Sequence, residues 1–128
     1  MKAQYIAALS LVAGVALGAG AIQALHAQAK PAAFTISEID VTNDDGFQKE
    51  FAPKAQKALA DNGAKAVARG GKTVALYGAP PKGRIVINHF DSLDQAVAAF
   101  NSQAYKDAKA VGDKYASFRV FAVEGLAQ

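Results

Sequence analysis

Two apolar runs of this chain carry hydrophobic side chains on both of their faces. Successive side chains of a β-strand point to opposite sides of the sheet. If residues 117–125 form a strand, the apolar residues therefore fall on both sides, with Phe118, Val120 and Ala122 on one and Phe121 and Val123 on the other. Residues 84–90 show the same pattern. The chain is thus constrained to a fold in which both faces of its sheet are covered.

The first half of the chain predicts a strand, a helix and a second strand. Residues 34–41 alternate and are rich in β-branched side chains, which is typical of a strand. Apolar residues spaced three and four apart over residues 47–62 indicate a helix. Pro53 has no backbone N–H to donate, so we expect either a kink there or a second helix that begins near it. Residues 64–78 are interpreted as one strand bent at the pair Gly70-Gly71.

The second half predicts a strand, a helix and a final strand. Residues 79–83 contain two prolines and a glycine, which indicates a hairpin loop before the strand at residues 84–90. Residues 91–102 place their apolar side chains on one helical face, and residues 103–116 predict a short helix followed by a loop. With the last strand, the order is β-α-β-β-α-β. This is the order of the ferredoxin-like fold, an α+β fold whose antiparallel sheet carries its helices on one face.

The second face of such a sheet needs a cover that the helices cannot supply. Helices on one face leave the other open, and an antiparallel sheet normally exposes polar side chains there. This chain instead places apolar side chains on that face, and a large apolar face does not stay in water without a partner. We therefore predict a homodimer in which two copies pack sheet to sheet.

The N-terminal residues 1–29 have the features of a secretory signal peptide. Lys2 is followed by a stretch without charged residues over 6–25, and the segment ends in the small-x-small sequence Ala27-Gln28-Ala29. We expect cleavage there, leaving residues 30–128 as a single ferredoxin-like domain, periplasmic or secreted, with no membrane contact. The alternative is a retained anchor, because about 20 apolar residues can span a bilayer.

Charge and cysteine content exclude several classes of partner. The chain has 14 basic and 11 acidic residues, a formal net charge of +3, and these charges are scattered. Without a block of like charges or a basic stripe interleaved with aromatic residues, we predict no nucleic-acid partner. With no cysteine and two histidines, the usual zinc ligand sets are incomplete, and we predict no metal and no cofactor.

His89 is the strongest catalytic candidate in the sequence. Imidazole gains and loses a proton near neutral pH, which suits general acid–base catalysis. It lies within the strand predicted at residues 84–90, where one polar group among apolar neighbours can face a cavity. The alternative is a half-buried histidine that makes one backbone hydrogen bond and has no role in catalysis.

Arg69 and the adjacent Gly70 and Gly71 form a candidate ligand-binding site. A guanidinium group can hold a carboxylate through two parallel hydrogen bonds, and a glycine backbone lets a ligand approach closely. The alternative is an arginine that pairs with an acidic side chain across the sheet, such as Glu38.

Tyr105 is a second catalytic candidate, because a phenol can donate a hydrogen bond to an oxyanion. The alternative is a ring packed under the last strand with its hydroxyl at the surface. The same two interpretations apply to Tyr77. For Glu38 the alternatives are a buried base and a solvated strand residue.

Several short motifs together resemble the domain-of-unknown-function 1330 family. They are RGG at residues 69–71, LYG at 76–78, RIVINHFDS at 84–92, SQAY at 102–105 and VEG at 123–125. The resemblance covers residues 34–125. It implies a dimeric α/β-barrel, in which two ferredoxin-like units join their sheets.

The resemblance implies no particular reaction. Related superfamily members include cofactor-free oxygenases, isomerases and haem enzymes, so the fold alone does not choose among them. Two motifs also depart from the family pattern: this chain has HF at residues 89–90 where members often have EF, and SQAY where they often have SPEY. A base supplied by that glutamate in some members would be a different group here.

Three functions stay open on the sequence alone. The first is an exported homodimer that binds a small anionic or aromatic molecule in a cleft. The second is a cofactor-independent enzyme of the isomerase or oxygenase type, in which His89 moves a proton and Arg69 orients a carboxylate or enolate. The third is an envelope or stress protein without a ligand.

Overall fold

A computed structural model describes residues 30–127 of the chain. The predicted signal peptide therefore lies outside the described residues. Within them, none of the helices has the length and apolar character needed to cross a membrane. The elements follow one another as β1 Ala33–Val41, α1 Asp44–Gly46, a π-helical turn Phe47–Phe51, α2 Ala52–Asp61, β2 Lys65–Arg69, β3 Arg84–Phe90, α3 Leu93–Phe100, α4 Gln103–Gly112 and β4 Ala116–Glu124.

The four strands form one sheet in the order β2-β3-β1-β4, and every neighbouring pair is antiparallel. β1 lies inside the sheet and pairs with both β3 and β4 along most of its length. β2 is short and its pairing with β3 shifts register between Ala66 and Ala68, which is a β-bulge. The predicted ferredoxin-like βαββαβ fold is confirmed.

All helical segments cover the same face of the sheet. On β1, Thr35, Ser37 and Ile39 are buried beneath them, whereas the residues between these point to the opposite face. The helices contribute small and aromatic side chains to the core, which consists of Ala33, Ile39, Phe47, Phe51, Ala52, Ala55, Ala58, Leu59, Phe90, Ala96, Ala99, Tyr105, Ala108 and Ala116. The alanines let the helices approach the sheet closely, so aromatic rings fill the remaining space.

The helix boundaries follow local chemistry. Ser92 and Ser102 cap α3 and α4, because each hydroxyl accepts a hydrogen bond from the backbone N–H three residues later, at 3.1 and 3.3 Å. Pro53 is the second residue of α2, so the prediction of a second helix beginning near it is confirmed. Gly63 follows Asn62, the C-cap of this helix, and its φ of +94° is the left-handed conformation that ends many helices. α4 is longer than predicted, since its ten residues leave only a short loop before β4.

The predicted strand over residues 64–78 is wrong beyond Arg69. Residues 70–83 have no regular secondary structure and are all exposed. β3 begins only at Arg84, so no strand of the same copy lies opposite residues 71–78. A strand forms through hydrogen bonds to a neighbour, and a favourable composition does not replace that neighbour.

Candidate functional site

A cleft opens between the sheet and the helical segments that cover it, mainly those that follow β1. Its sheet side is formed by residues of three strands, including Ser37, Val86 and Asn88. Its other side is mostly apolar, with Phe47, Phe51, Ala52, Ala55, Leu59, Phe100 and Tyr105, and it includes the polar Gln56. The cavity within it measures about 60 Å³. A space of this size takes a few atoms of a small molecule.

Two arginines, Arg69 and Arg84, line this cleft. Arg69 lies opposite Val86 in the β2–β3 pairing. Arg84 lies two residues before Val86 on the same strand and therefore on the same face of the sheet. The two arginines are thus diagonal neighbours across adjacent strands, a spacing that long side chains can bridge. Arg69 is exposed and Arg84 is half-buried, so they lie where the cleft meets solvent.

Neither arginine is neutralised within the described residues. Of the ion pairs formed there, none includes Arg69 or Arg84. Glu38, the acidic partner considered for Arg69, accepts a hydrogen bond from Arg119 at 2.7 Å instead. The guanidinium carbon of Arg84 lies 5.8 Å from the centre of the Phe47 ring, a cation–π contact that leaves its N–H groups free to donate.

The structure separates the two glycines that were predicted with Arg69. Gly70, with φ +67°, lies against Arg84, and a Cβ at this position would come within 2.2 Å of Arg84 Nη1. Gly70 therefore leaves space for the second guanidinium. Gly71 has no heavy atom within 4 Å of the position that a Cβ would take. Neither glycine lines the cleft.

Tyr105 lines the same cleft from α4. Its ring is buried and meets the Phe100 ring edge to face, with the ring centres 4.6 Å apart. Burial, and secondarily the negative charge of Asp113, raise the pKa of Tyr105 to about 12. The phenol therefore keeps its proton at neutral pH, so it can donate a hydrogen bond to an anion but cannot act as a base.

His89 lies on the opposite face of the sheet from the cleft. It alternates with Asn88, which lines the cleft, and it pairs with Phe34 on β1 and Lys65 on β2. The Phe34 and His89 rings meet edge to face, with centres 5.5 Å apart. The sheet itself therefore stands between His89 and Arg69. A single site within one copy of the chain does not contain both residues.

The other candidates have simpler surroundings. Tyr77 projects into solvent, and Glu38 forms its ion pair with Arg119 on the face that carries His89. Within residues 30–127, no group of three or more histidine, cysteine, aspartate or glutamate side chains comes together to hold a metal ion.

Arg84 and Asn88 line the cleft but were not identified from the sequence. Both alternate in phase with Val86, so their common face could be read from the strand pattern. What the pattern lacks is the pairing of β2 with β3, which brings Arg69 beside Arg84.

Comparison with protein families shows which family this chain belongs to. Residues 32–126, nearly all of the described part, match the family described as Domain of unknown function (DUF1330). The chain belongs to the DUF1330 family. Its fold also agrees with what the family resemblance implied for one subunit. A comparison with curated proteins found no match.

Solved structures with the same fold share little sequence with this DUF1330 protein. A protein of unknown function from Rhodopseudomonas palustris is 12% identical, with a TM-score of 0.61 over 76% of this chain and 84% of its own. SnoaB, a cofactor-independent oxygenase from Streptomyces nogalater, is 10% identical, with a TM-score of 0.55 over 77% and 96%. A putative antibiotic biosynthesis monooxygenase from Nitrosomonas europaea is 11% identical, with a TM-score of 0.54 over 76% and 92%. At these identities the likeness shows the fold alone.

The raised pKa of the buried Tyr105 phenol predicts that the protein becomes less stable at alkaline pH. The unfolded chain ionises this phenol near pH 10, whereas the folded chain holds the proton to about pH 12. Above pH 10 the unfolded state therefore binds fewer protons at this site, and the free energy of unfolding falls as the pH rises from about 10 to about 12. We expect the Tyr105→Phe variant to lack this decrease in the free energy of unfolding, which is on the order of 2 kcal/mol in the wild type. Urea unfolding at pH 8, 10 and 11.5 measures it.

Tyr77→Phe is the matched control for this experiment, because the Tyr77 side chain is 98% exposed. It should retain the alkaline stability loss of the wild type. If Tyr105→Phe and Tyr77→Phe follow the same curve, burial of the Tyr105 phenol does not control the pH dependence.

Proposed function

We propose that this DUF1330 protein binds a small molecule with a carboxylate group in the cleft between its sheet and its helices. The observation that carries the proposal is the placement of Arg69 and Arg84 together beside an apolar cavity, with no carboxylate partner among the described residues. Two adjacent guanidinium groups repel each other, and a bound anion relieves that repulsion while accepting their hydrogen bonds.

The chemistry of the cleft defines the class of ligand. The guanidinium groups of Arg69 and Arg84 would hold the carboxylate, and the protonated Tyr105 phenol would donate to a ligand oxygen within the cleft. The aromatic wall would contact an apolar or aromatic portion next to it. Sites for drug-sized ligands measure about 300–1,000 Å³, whereas this cavity measures about 60 Å³. The ligand would therefore be small, or only one end of it would enter.

We also propose that the protein is a homodimer joined through the open face of its sheet. Two rows of side chains cross this face in neighbouring positions. One row contains Ala68, Ile87, Ile36 and Phe121, and the next contains Lys65, His89, Phe34 and Val123. Large apolar side chains are therefore contiguous across β3, β1 and β4, which is the property of an interface and not of a solvated sheet face.

The charged row on this face is compatible with burial in a dimer. Glu38 lies between Ile85 and Arg119, and the Arg119 guanidinium already donates to the Glu38 carboxylate at 2.7 Å. A charge that is paired and hydrogen-bonded loses less on desolvation than an isolated one. A twofold axis would bring the same rows of both copies together, as an isologous interface requires.

We propose further that the dimer works outside the cytoplasm, in the periplasm or as a secreted protein. The support is the sequence of residues 1–29, with its basic start, uncharged apolar stretch and Ala-x-Ala end.

A second candidate function is a cofactor-independent enzyme of the isomerase or oxygenase type, with His89 as acid and base. SnoaB, which is described as a cofactor-independent oxygenase, shares the fold. The observation within this chain that favours it is the position of His89, which lies beside the Phe34 ring on the face that the proposed dimer encloses. An imidazole in such an enclosed, largely apolar space can exchange a proton with a bound carbon acid.

The carboxylate proposal predicts binding that depends on both arginines. Propionate and benzoate should bind the wild type, whereas propionamide and benzamide, which have the same shapes without the charge, should bind at least about 10-fold more weakly. Arg69→Ala/Arg84→Ala should reduce benzoate affinity by at least about 10-fold. Isothermal titration calorimetry at low ionic strength measures these affinities.

Arg119→Ala is the matched control for the arginine variants, because it removes a guanidinium from the opposite face of the sheet. It should bind benzoate as the wild type does. If neither acid binds the wild type, the carboxylate proposal is wrong, and an envelope or stress protein without a ligand becomes the better description.

The dimer proposal predicts a sensitive position at the edge of the open face. Phe121 is 44% exposed in one copy, so Phe121→Asp should leave the subunit folded. Each dimer would contain the change twice, and the dissociation constant should rise by at least about 100-fold. Analytical ultracentrifugation gives that constant and circular dichroism checks the fold. A wild type that is monomeric at micromolar concentration would contradict the proposal.

If the protein is a cofactor-independent enzyme, His89→Ala should abolish proton transfer without causing the dimer to dissociate. Phenylpyruvate is a suitable probe, since it combines a carboxylate, an aromatic ring and an exchangeable C–H, and its keto–enol conversion is followed by ultraviolet absorbance. If His89 acts as the base, the variant should be slower by at least about 100-fold. Equal rates for wild type and His89→Ala would remove His89 from the catalytic role.

A further inference from the structure

The segment between β2 and β3 is a long exposed arm, here defined as residues 71–82. Gly70 and Gly83 fix its two ends to the sheet. The Gly70 N–H donates to the Ile85 carbonyl at 2.8 Å. Gly83, with φ +59°, lies so close to Ile39 that a Cβ would come within 2.1 Å of the Ile39 carbonyl oxygen. The arm therefore leaves the sheet from two anchored positions.

The arm has the composition of a strand but no partner within its own copy. Residues 72–77 read KTVALY, in which threonine, valine and tyrosine favour strands. Of the hydrogen bonds between described residues, none uses a backbone group of residues 71–82. Val74, Leu76 and Tyr77 are 69, 83 and 98% exposed. Three large apolar side chains and an unpaired backbone in one segment indicate a surface that another chain covers.

The β4 edge of the sheet also has backbone groups without a strand partner. Sheets protect their edges with short strands, bulges or charges. β2, at one edge, is five residues long and bulged. β4, at the other edge, has nine residues in continuous register with β1 and no proline. Of its two charged side chains, Arg119 is paired with Glu38 and Glu124 is the last residue of the strand. Its outer backbone groups are therefore available for pairing along nine residues, which is enough for a strand formed by residues 72–77.

Both faces beside the β4 edge offer apolar contacts. On the helix side, a groove of about 220 Å³ is lined by residues of β4 and α3, including Val97, Val120 and Ala122. Thr35 also lines this groove, and its buried hydroxyl has no hydrogen-bond partner among the described residues. On the other side lies Val123, which is half exposed.

The arm carries apolar side chains on both faces as well. As a strand, it would direct Val74 and Leu76 to one side and Ala75 and Tyr77 to the other. An arm strand beside β4 would therefore place apolar side chains in the groove and over Val123 at the same time. Six extended residues span about 20 Å, whereas neighbouring strands lie only about 4.8 Å apart. The arm is therefore long enough to extend beyond the sheet of its own copy.

We propose that residues 72–77 form a strand that adds to the β4 edge of a second copy of this chain. The inference rests on the proposed homodimer and deepens it, because it identifies a contact at the β4 edge that adjoins the sheet-to-sheet interface at Val123. A closed barrel has no free edges. The exchange of two arms, one from each copy, would cover both β4 edges of the dimer and would bury both sets of exposed apolar side chains.

The first test compares two leucines that are equally exposed in one copy. Leu76 lies in the arm and is 83% exposed, whereas Leu126 follows β4 and is 90% exposed. Because neither side chain belongs to the core, the Leu76→Asp and Leu126→Asp variants should both fold as the wild type does. Leu76→Asp should raise the dissociation constant of the dimer by at least about 100-fold, since the contact occurs twice. Leu126→Asp should leave it within about threefold, as expected of a side chain outside the contact.

The second test places the arm by crosslinking and does not depend on a charged substitution. The chain has no cysteine, so single cysteines can be introduced without a background. Full chains carrying Leu76→Cys and Val97→Cys, with different tags, are mixed, allowed to exchange subunits and treated with a short bismaleimide. The mixed pair should crosslink at least about 10-fold faster than the control pair Leu126→Cys and Val97→Cys, because a docked arm holds its cysteine beside the groove.

The outcomes separate the arm from the dimer. A dimer that is weakened by Leu76→Asp and crosslinked between Leu76→Cys and Val97→Cys supports the exchange of arms. A wild-type dimer that tolerates Leu76→Asp and does not crosslink at these positions overturns the arm contact and leaves the sheet interface intact. A wild type that stays monomeric overturns both proposals.

Discussion

The pairing of β1 with β3 on one side and β4 on the other is the constraint on which the rest of the structure depends. Its register directs Thr35 and Ser37 to the helices and Ile36 and Glu38 to the open face. A slip by one residue would exchange these two sets and bury the Glu38 carboxylate beneath the helices. The high cost of burying a lone carboxylate therefore favours the observed register.

One sheet consequently separates two surfaces with different chemistry. The helix side holds a small aromatic cleft that Arg69 and Arg84 line. The open side holds contiguous apolar rows together with His89 and the Glu38–Arg119 pair. A ligand site within one copy can use the arginines and Tyr105, whereas any chemistry at His89 depends on what covers the open face. The two proposed functions therefore use different surfaces and can be tested separately.

The same reasoning links the arm to the sheet edge. In both places backbone groups without a strand partner lie beside exposed apolar side chains, over residues 72–77 and on the outer edge of β4. β-structure satisfies its hydrogen bonds only through a neighbour, unlike a helix, which satisfies them within itself. Strand-like sequence without a neighbour in one copy therefore points to a neighbour in another.

The sequence by itself determined the element order, the fold class and the break near Pro53, because these depend on local spacing and local backbone preference. It also showed that helices on one face would leave apolar side chains uncovered. Only the tertiary structure decided which face carries His89, since alternation sorts side chains into two sets without saying which set meets the helices. The pairing of β2 with β3 likewise brought Arg69 to Arg84 and ended β2 at Arg69, because strand register and strand length are set by neighbours distant in the chain.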